Sequence, residues 1–421
     1  MDSPAHPSPN VFRHQDFSLF WGARFASTLG VQAESVAIGW QVYDVARRSR
    51  SVEEGAFLVG MVGLAQFLPL MALTLIAGET ADRYGRKTIM LICLAVEIVL
   101  VSLLSVLALH PAPSLTPIFV IAGLFGAARA FLSPASGALA PMLVPKAELP
   151  RAIAWNSLSW QTGSIIGPWI GGALCAISPA VSYAVAAGLY ALAAVLIALV
   201  RTDTRPAVQP GRRLEQIREG LRYVWSNKIV FGSISLDLFA VLLGGATALL
   251  PVFAREPGLL GGGAETFGIL RSGPAIGAGI VALGLARWHM QRRAGLWMFG
   301  GVALFALATF AFAFSRHLWL SVALLAVLGG ADMISVYVRQ TLVQVVTPDA
   351  LRGRVAAVSG LFIGASNELG EFETGLVARV LGPVTACAMG GIGALGVTGL
   401  WAWLFPQLRR ADRLDAPEQA A

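Results

Sequence analysis

The chain has 421 residues, 56% of them hydrophobic and 13% charged, with a formal net charge of +7 and a mean hydropathy of +0.68. Soluble domains carry about 25% charged residues, and a soluble fold of this length could not bury so much apolar surface. The composition excludes a soluble globular protein and implies an integral membrane one.

The start, Met1 to Gln15, is polar and proline-containing and has no cleavable signal pattern. A bilayer core of about 30 Å takes about 20 apolar residues per helix. Runs of that kind cover 17–46, 55–78, 88–109, 116–143, 151–177 and 180–200, then 229–254, 266–286, 296–314, 318–345, 355–380 and 383–404. The expected fold is therefore all-α: twelve transmembrane helices in two six-helix, pseudo-symmetric bundles. The expected divisions are a tail at 1–16, a first bundle at 17–200, a linker at 201–228, a second bundle at 229–405 and a tail at 406–421.

In the linker, Leu214, Ile217, Leu221, Val224 and Trp225 recur at helical spacing opposite Arg212, Arg213, Arg218 and Arg222. That pattern predicts an amphipathic helix on an anionic lipid surface. Lysine and arginine set the orientation. With the start placed in the cytoplasm, 21 of the 31 fall on the cytoplasmic side, six outside and four within spans. Both termini are thus expected in the cytoplasm, and topology accounts for the net charge without a nucleic-acid partner. The cluster Arg47, Arg48 and Arg50 is the one exception to this pattern. Val144–Arg151 and Thr347–Arg354 precede the fifth and eleventh spans as a weak repeat, the kind that places a central site between two moving halves.

Between the second and third spans lies Gly78-Glu-Thr-Ala-Asp82-Arg83-Tyr-Gly85-Arg86-Lys87. Its glycines permit tight turns and close helix approach, its acid can approach a helix N-terminus, and its basic residues can bridge carboxylates or lipid phosphates. The fifth span holds Gly163-Ser-Ile-Ile-Gly167-Pro168-Trp-Ile-Gly171-Gly172. Glycines four apart make a smooth stripe for a neighbouring helix, and the proline loosens the span.

Both motifs carry a family resemblance over nearly the whole chain. The first matches every fixed position of the loop signature of major facilitator superfamily transporters, Gly-x-x-x-Asp-Arg-x-Gly-Arg-Arg/Lys. The second resembles the motif of that superfamily's antiporter branch. Asp82-Arg83-Tyr84 and Thr347-Pro-Asp-Ala-Leu-Arg-Gly-Arg354 resemble the branch of siderophore exporters and drug:proton antiporters. The resemblance implies a gating latch at Gly78–Lys87, with Asp82 directed at the start of the eleventh span. It further implies alternating access of two bundles and export of a small organic molecule in exchange for protons, with uptake as the alternative direction. The expected location is the cytoplasmic membrane of a cell, with lipids and protons as partners and a monomer as the working unit.

Ionisable groups inside spans cost at least ~2.5 kcal/mol each, so each is a functional candidate. They are Glu34 in the first span, Glu97 in the third, Arg129 in the fourth, Asp237 in the seventh, Asp332 and Arg339 in the tenth, and Glu368, Glu371 and Glu373 in the eleventh. Arg129 sits where many family members carry an arginine linked to proton coupling. Glu34 is ~15 Å along the helix from Arg24, too far for a direct pair. Glu368 and Glu371 share a face and suit proton loading or a cationic group, with pairing to Arg129, Arg339 or Arg24 as the structural alternative. Arg271, near one end of the eighth span, is expected to anchor at the interface. Phe17, Phe20, Trp21, Phe25, Trp40, Tyr43, Trp155 and Trp160 are candidates for an apolar cavity wall, against roles in packing or anchoring.

Five histidines lie outside the spans, the three cysteines show no CxxC spacing, and no phosphate-loop motif occurs. No enzyme activity, metal or cofactor is expected. A non-transporting sensor on the same fold would carry a larger soluble domain than these short ends supply.

Overall fold

The structure is a computed structural model that describes residues 10–110, 114–145, 148–202, 204, 213–287 and 292–411. The first six long helices are α1 (Gln15–Arg47), α2 (Val52–Arg83), α3 (Arg86–Ala108), α4 (Leu115–Leu139), α5 (Leu149–Ile177) and α6 (Pro179–Leu199). Helix α7 (Arg213–Ser226) leads into the second set: α8 (Lys228–Leu243) with α9 (Leu250–Arg255), then α10 (Ala264–Arg287), α11 (Ala294–Phe314), α12 (Leu318–Val346), α13 (Asp349–Leu381) and α14 (Pro383–Leu404). A final turn, α15 (Pro406–Arg409), closes the described chain. Twelve spans therefore form two bundles, as the hydrophobic runs predict.

Among the described residues, nine helical segments satisfy both length and apolar composition for crossing a membrane. Helices α1, α5 and α13 are longer than most but more polar, since they carry Arg24 and Glu34, a glycine–serine–glutamine-rich stretch, and the glutamate cluster. Such helices suit the seam of a bundle pair, shielded from lipid. The seams are α2 against α13 and α5 against α10.

The seventh span departs from the expected single run. Helix α8 stops at Leu243, Gly244 and Gly245 leave helical geometry, a 3-10 turn covers Ala246–Leu249, and α9 restarts at Leu250. The break lets Gly245 lie against the Gly370 carbonyl, which a Cβ there would meet at 2.6 Å.

Helix α7 forms where the sequence predicts it, but its apolar face turns to protein. Val224 is buried in a cluster with Val230, Ile234, Val343, Val355 and Val358, with Leu221 packed beside it. Trp225 is exposed and stacks on Phe231 at 4.7 Å. The side chains of Leu214 and Ile217 and the whole of Arg212 lie outside the described residues, as do the 1–9 and 412–421 tails.

The bundles are clamped at the end opposite the termini. Arg47 Nε donates to Glu256 Oε1 at 2.9 Å, and Arg255 Nη1 lies 2.6 Å from Asp44 Oδ1. The Tyr43 hydroxyl donates to the same Glu256 oxygen at 2.7 Å. Arg47, the exception to the charge pattern, thus holds α1 to the loop after α9, and Arg48 pairs with Asp44 on its own helix. Among the described residues, both cross-bundle ion pairs lie at this end.

Candidate functional site

Buried charge gathers in three places, each built from one arginine and two carboxylates. In the first bundle, Arg129 of α4 faces α1. Its Nη2 lies 3.2 Å from Glu34 Oε1, and its Nη1 donates to Gln66 Oε1 at 2.7 Å. The Tyr190 hydroxyl of α6 donates to the other Glu34 oxygen at 2.6 Å. Glu34 is fully buried and both of its oxygens are bonded. Glu97 of α3 is also fully buried and feels the charges of Arg129 and Glu34, yet among the described residues neither of its oxygens has a hydrogen-bond partner.

The seam holds the second group. Arg271 of α10 donates to Ser35 Oγ of α1 at 2.9 Å and acts electrostatically on Glu368 and Glu371 of α13. Arg271, Glu371, Ser35, Gln66 and Thr247 border a cavity of about 30 Å³, room for a water or two. This corrects the expectation of an interfacial anchor. Helix α10 turns Arg271 across the seam, where carboxylates and a serine replace the water it would find at a lipid headgroup. Glu373, two residues on from Glu371, is half-buried and meets Thr374.

The third group is in the second bundle. Arg339 Nη1 of α12 lies 3.3 Å from Asp237 Oδ2 of α8, and Asp332 feels both charges. Arg339 thus pairs across helices with Asp237. None of Arg129, Arg339 or Arg24 is bonded to the glutamates of α13 among the described pairs.

A cavity of about 320 Å³ opens in the first bundle on the side of the chain termini. Arg24, Ser27 and Thr28 of α1, Arg129, Ser133 and Ser136 of α4 and Trp160 of α5 supply its polar and aromatic wall. Arg24 Nη1 donates to Ser136 Oγ at 2.8 Å. No carboxylate borders this cavity among the described residues, so its charge is positive. Of the aromatic candidates only Trp160 reaches it. Phe17, Phe20 and Tyr43 are buried in packing, Trp21 stacks on Phe25 with Trp155 edge-on to Trp21, and Trp40 lies over Phe267.

The charged loop is bound to its own bundle. Lys87 Nζ donates to the Ala198 and Val200 carbonyls at the end of α6, 2.8 and 2.6 Å away, and Arg86 Nη1 contacts Met142 Sδ. Arg83 pairs with Glu79 one turn back, and Gly78 is buried. Gly85 is the N-cap of α3 with φ −59°, and a Cβ there would sit at an ordinary 3.6 Å from Thr204, so neither left-handed backbone nor close approach requires a glycine at this position. The Asp82 side chain lies outside the described residues.

The glycine motif of α5 has two faces. Gly163, Gly167 and Gly171 lie against Thr28, Gln32 and Ala33 of α1 in the same bundle. Gly172 crosses the seam, where a Cβ would lie 2.7 Å from the Gly268 Cα of α10. Gly60 of α2 meets Gly375 of α13 in the same way, its Cβ position 2.7 Å from the Glu371 carbonyl and 3.0 Å from the Gly375 Cα. Pro168 interrupts the α5 ladder one turn before Gly172, and its carbonyl faces Gly268.

With this geometry in hand, residues 7–420 match the family model described as transmembrane secretion effector. The chain belongs to that family of major facilitator transporters. It is 28% identical over 404 residues to the enterobactin exporter EntS of Citrobacter koseri, covering 94% of this chain and 93% of that one. It is equally 28% identical over 415 residues to EntS of Escherichia coli strain SMS-3-5, covering 97% and 96%. A D-xylose–proton symporter superposes with a TM-score of 0.71 at 13% identity, over 94% of this chain and 98% of the other. A bacterial homologue of the lysosomal transporter Spinster, inward-facing and occupied, gives 0.70 at 14% identity over 96% and 97%. These last two establish the fold. The transporter is thus a multi-pass membrane protein that moves a small molecule without being an enzyme.

Sequence reasoning did not find Gln66, Tyr190, Ser35 or Glu256 as partners. Gln66 is polar within an apolar run, which is a usable signal. Tyr190 and Ser35 carry none, because their role is set by which helix faces them.

Proposed function

We propose that this transporter exports a small organic molecule across the cytoplasmic membrane by alternating access, in exchange for protons, with both termini in the cytoplasm. The lysine and arginine distribution supports that orientation, so the state described is closed outside and open inside. One observation carries the reading: the Arg129–Glu34 pair stands at the inner limit of a cavity on the terminal side, while the opposite end is clamped by Arg47–Glu256 and Arg255–Asp44. A buried arginine whose carboxylate partners can gain or lose a proton gives a charge change at the substrate cavity, and differential protonation biases which face is open. Arg24 and Arg129, with Trp160 between serines, suit an amphipathic molecule bearing negative charge, such as a siderophore, as well as a polarisable lipophilic compound. The curated relatives named for enterobactin export support the first of these.

The test is substrate-induced proton movement in inverted vesicles, with enterobactin and a panel of lipophilic dyes, alongside Glu371→Gln and Asp237→Asn. A compound that dissipates an imposed gradient in wild type, with the effect lost in at least one variant, supports exchange. Transport without any proton movement in wild type removes the coupling from the proposal.

A further inference from the structure

Among the described residues, Glu97 is a fully buried carboxylate whose two oxygens both lack a hydrogen-bond partner. It projects from α3 with Cys93, Leu94 and Val101, all buried, into the space between α4 and α6. The groups that face it are Arg129 from α4, Glu34 from α1 and Tyr190 from α6, with Cys93 one turn back on its own helix. Tyr190 is committed to Glu34 through its hydroxyl, and Arg129 spends both terminal nitrogens on Glu34 and Gln66. What remains are the Arg129 Nε–H and both Glu97 oxygens, buried and without partners among the described residues.

Charge counting then constrains the cluster. Arg129 faces Glu34 and Glu97 and also feels Glu368 of α13, which lies with Arg271, and an unpaired buried anion in a bilayer core is strongly disfavoured. Glu34 is bonded at both oxygens and ion-paired, so it is the anion of the pair. A proton on Glu97 in this state would leave its unpartnered, buried oxygens uncharged. Arg129 nonetheless keeps an Nε–H without a partner among the described residues, a donor for Glu97 when that group ionises.

We propose that Glu97 is the proton-binding site of the first bundle, with Arg129 as a counter-ion shared between it and Glu34. The proposal rests on the proton-exchange reading above. It locates the proton one turn beyond Leu94, and Leu94 and Arg129 both border the substrate cavity. Proton and substrate therefore act on the same arginine from opposite sides. A negatively charged substrate group arriving at Arg129 weakens its hold on the carboxylates. Loss of the Glu97 proton draws Arg129 away from the substrate.

Proton binding itself is the probe, so no substrate is needed. Infrared difference spectra are recorded on reconstituted wild type, Glu97→Gln, Glu97→Asp and Glu371→Gln, between acidic and alkaline buffer. Wild type is expected to lose a protonated-carboxyl band on alkalinisation. That band should be absent in Glu97→Gln, shifted in frequency in Glu97→Asp, and retained in Glu371→Gln. Identical spectra for wild type and Glu97→Gln overturn the assignment. So does a Glu97 band that never titrates, which would mark a permanently neutral packing group. Should Glu97→Gln fail to fold, the frequency shift in Glu97→Asp decides the matter, and its absence counts against the proposal. A titrating Glu97 in a protein that moves no protons in vesicles would sink the exchange reading while leaving the site assigned.

Discussion

Arg129 and Glu34 are 95 positions apart in the chain, yet they form an ion pair inside the first bundle. Removing one partner of a buried ion pair leaves the other uncompensated and costs about 3–5 kcal/mol, whereas removing both costs far less. Glu34→Gln and Arg129→Gln alone are therefore expected to lower the melting temperature of the detergent-solubilised protein sharply. The double variant should recover much of that loss, and the coupling read from the cycle should be positive and well above 1 kcal/mol. Simple addition of the two single effects would show that the pair does not hold the bundle together. The same residues show where a sequence is silent. That Glu34 cannot reach Arg24 follows from helix rise, but nothing in the chain order says that α4 and α6 bring Arg129 and Tyr190 to it. Asp237 and Arg339 are hidden in the same way, because a partner on another helix depends on helix rotation that hydrophobic periodicity fixes only loosely.

Individual helices divide into those that hold a bundle and those that meet across the seam, and α5 does both. Gly163, Gly167 and Gly171 seat α5 on α1, whereas Gly172 seats it on Gly268 of α10. Substituting the two kinds of glycine should have different consequences. Gly167→Ala presses a methyl onto Gln32 within one bundle, which lowers stability through strain of about 1–3 kcal/mol. Gly172→Ala presses onto backbone across the seam, which the molecule can relieve by parting the bundles at that end. Its expected signature is greater labelling of a cysteine placed at the clamped end, with little change in melting temperature. Equal labelling in the two variants would show that the motif acts as one packing stripe. The motif itself is legible in sequence, since glycines four apart announce a close neighbour. Which neighbour each one serves is not, because Gly171 and Gly172 differ only by the 100° between successive helical residues. The break in the seventh span is illegible for a related reason: Gly244 and Gly245 sit in an apolar run whose composition suits a continuous helix.

For the molecule as a whole, the decisive equilibrium is between parting at one end and parting at the other, and the clamp at Glu256 is where acid can shift it. Glu256 lies outside the spans, in the loop after α9. Burial alone would raise its pKa, but hydrogen bonds from Arg47 and Tyr43 and the charges of Arg47 and Arg255 outweigh this and hold it below the ordinary glutamate range. A carboxylate whose pKa is lower in the clamped state favours that state at any pH above its unclamped value. The advantage fades as pH falls through the clamped value. The clamped end should thus remain shut at neutral pH and loosen only in distinctly acidic medium on that side. Glu256→Gln keeps the shape but removes the charge, so it should loosen the end at neutral pH and abolish the acid response. The measurement is the rate of cysteine labelling near Ser51 as a function of pH in wild type and Glu256→Gln. An acid-induced rise that persists in the variant would show that Glu256 is not the sensor. A clamp that acid never loosens would mean that the close contacts of Gly60 with Gly375 and of Gly172 with Gly268 suffice to keep that end shut.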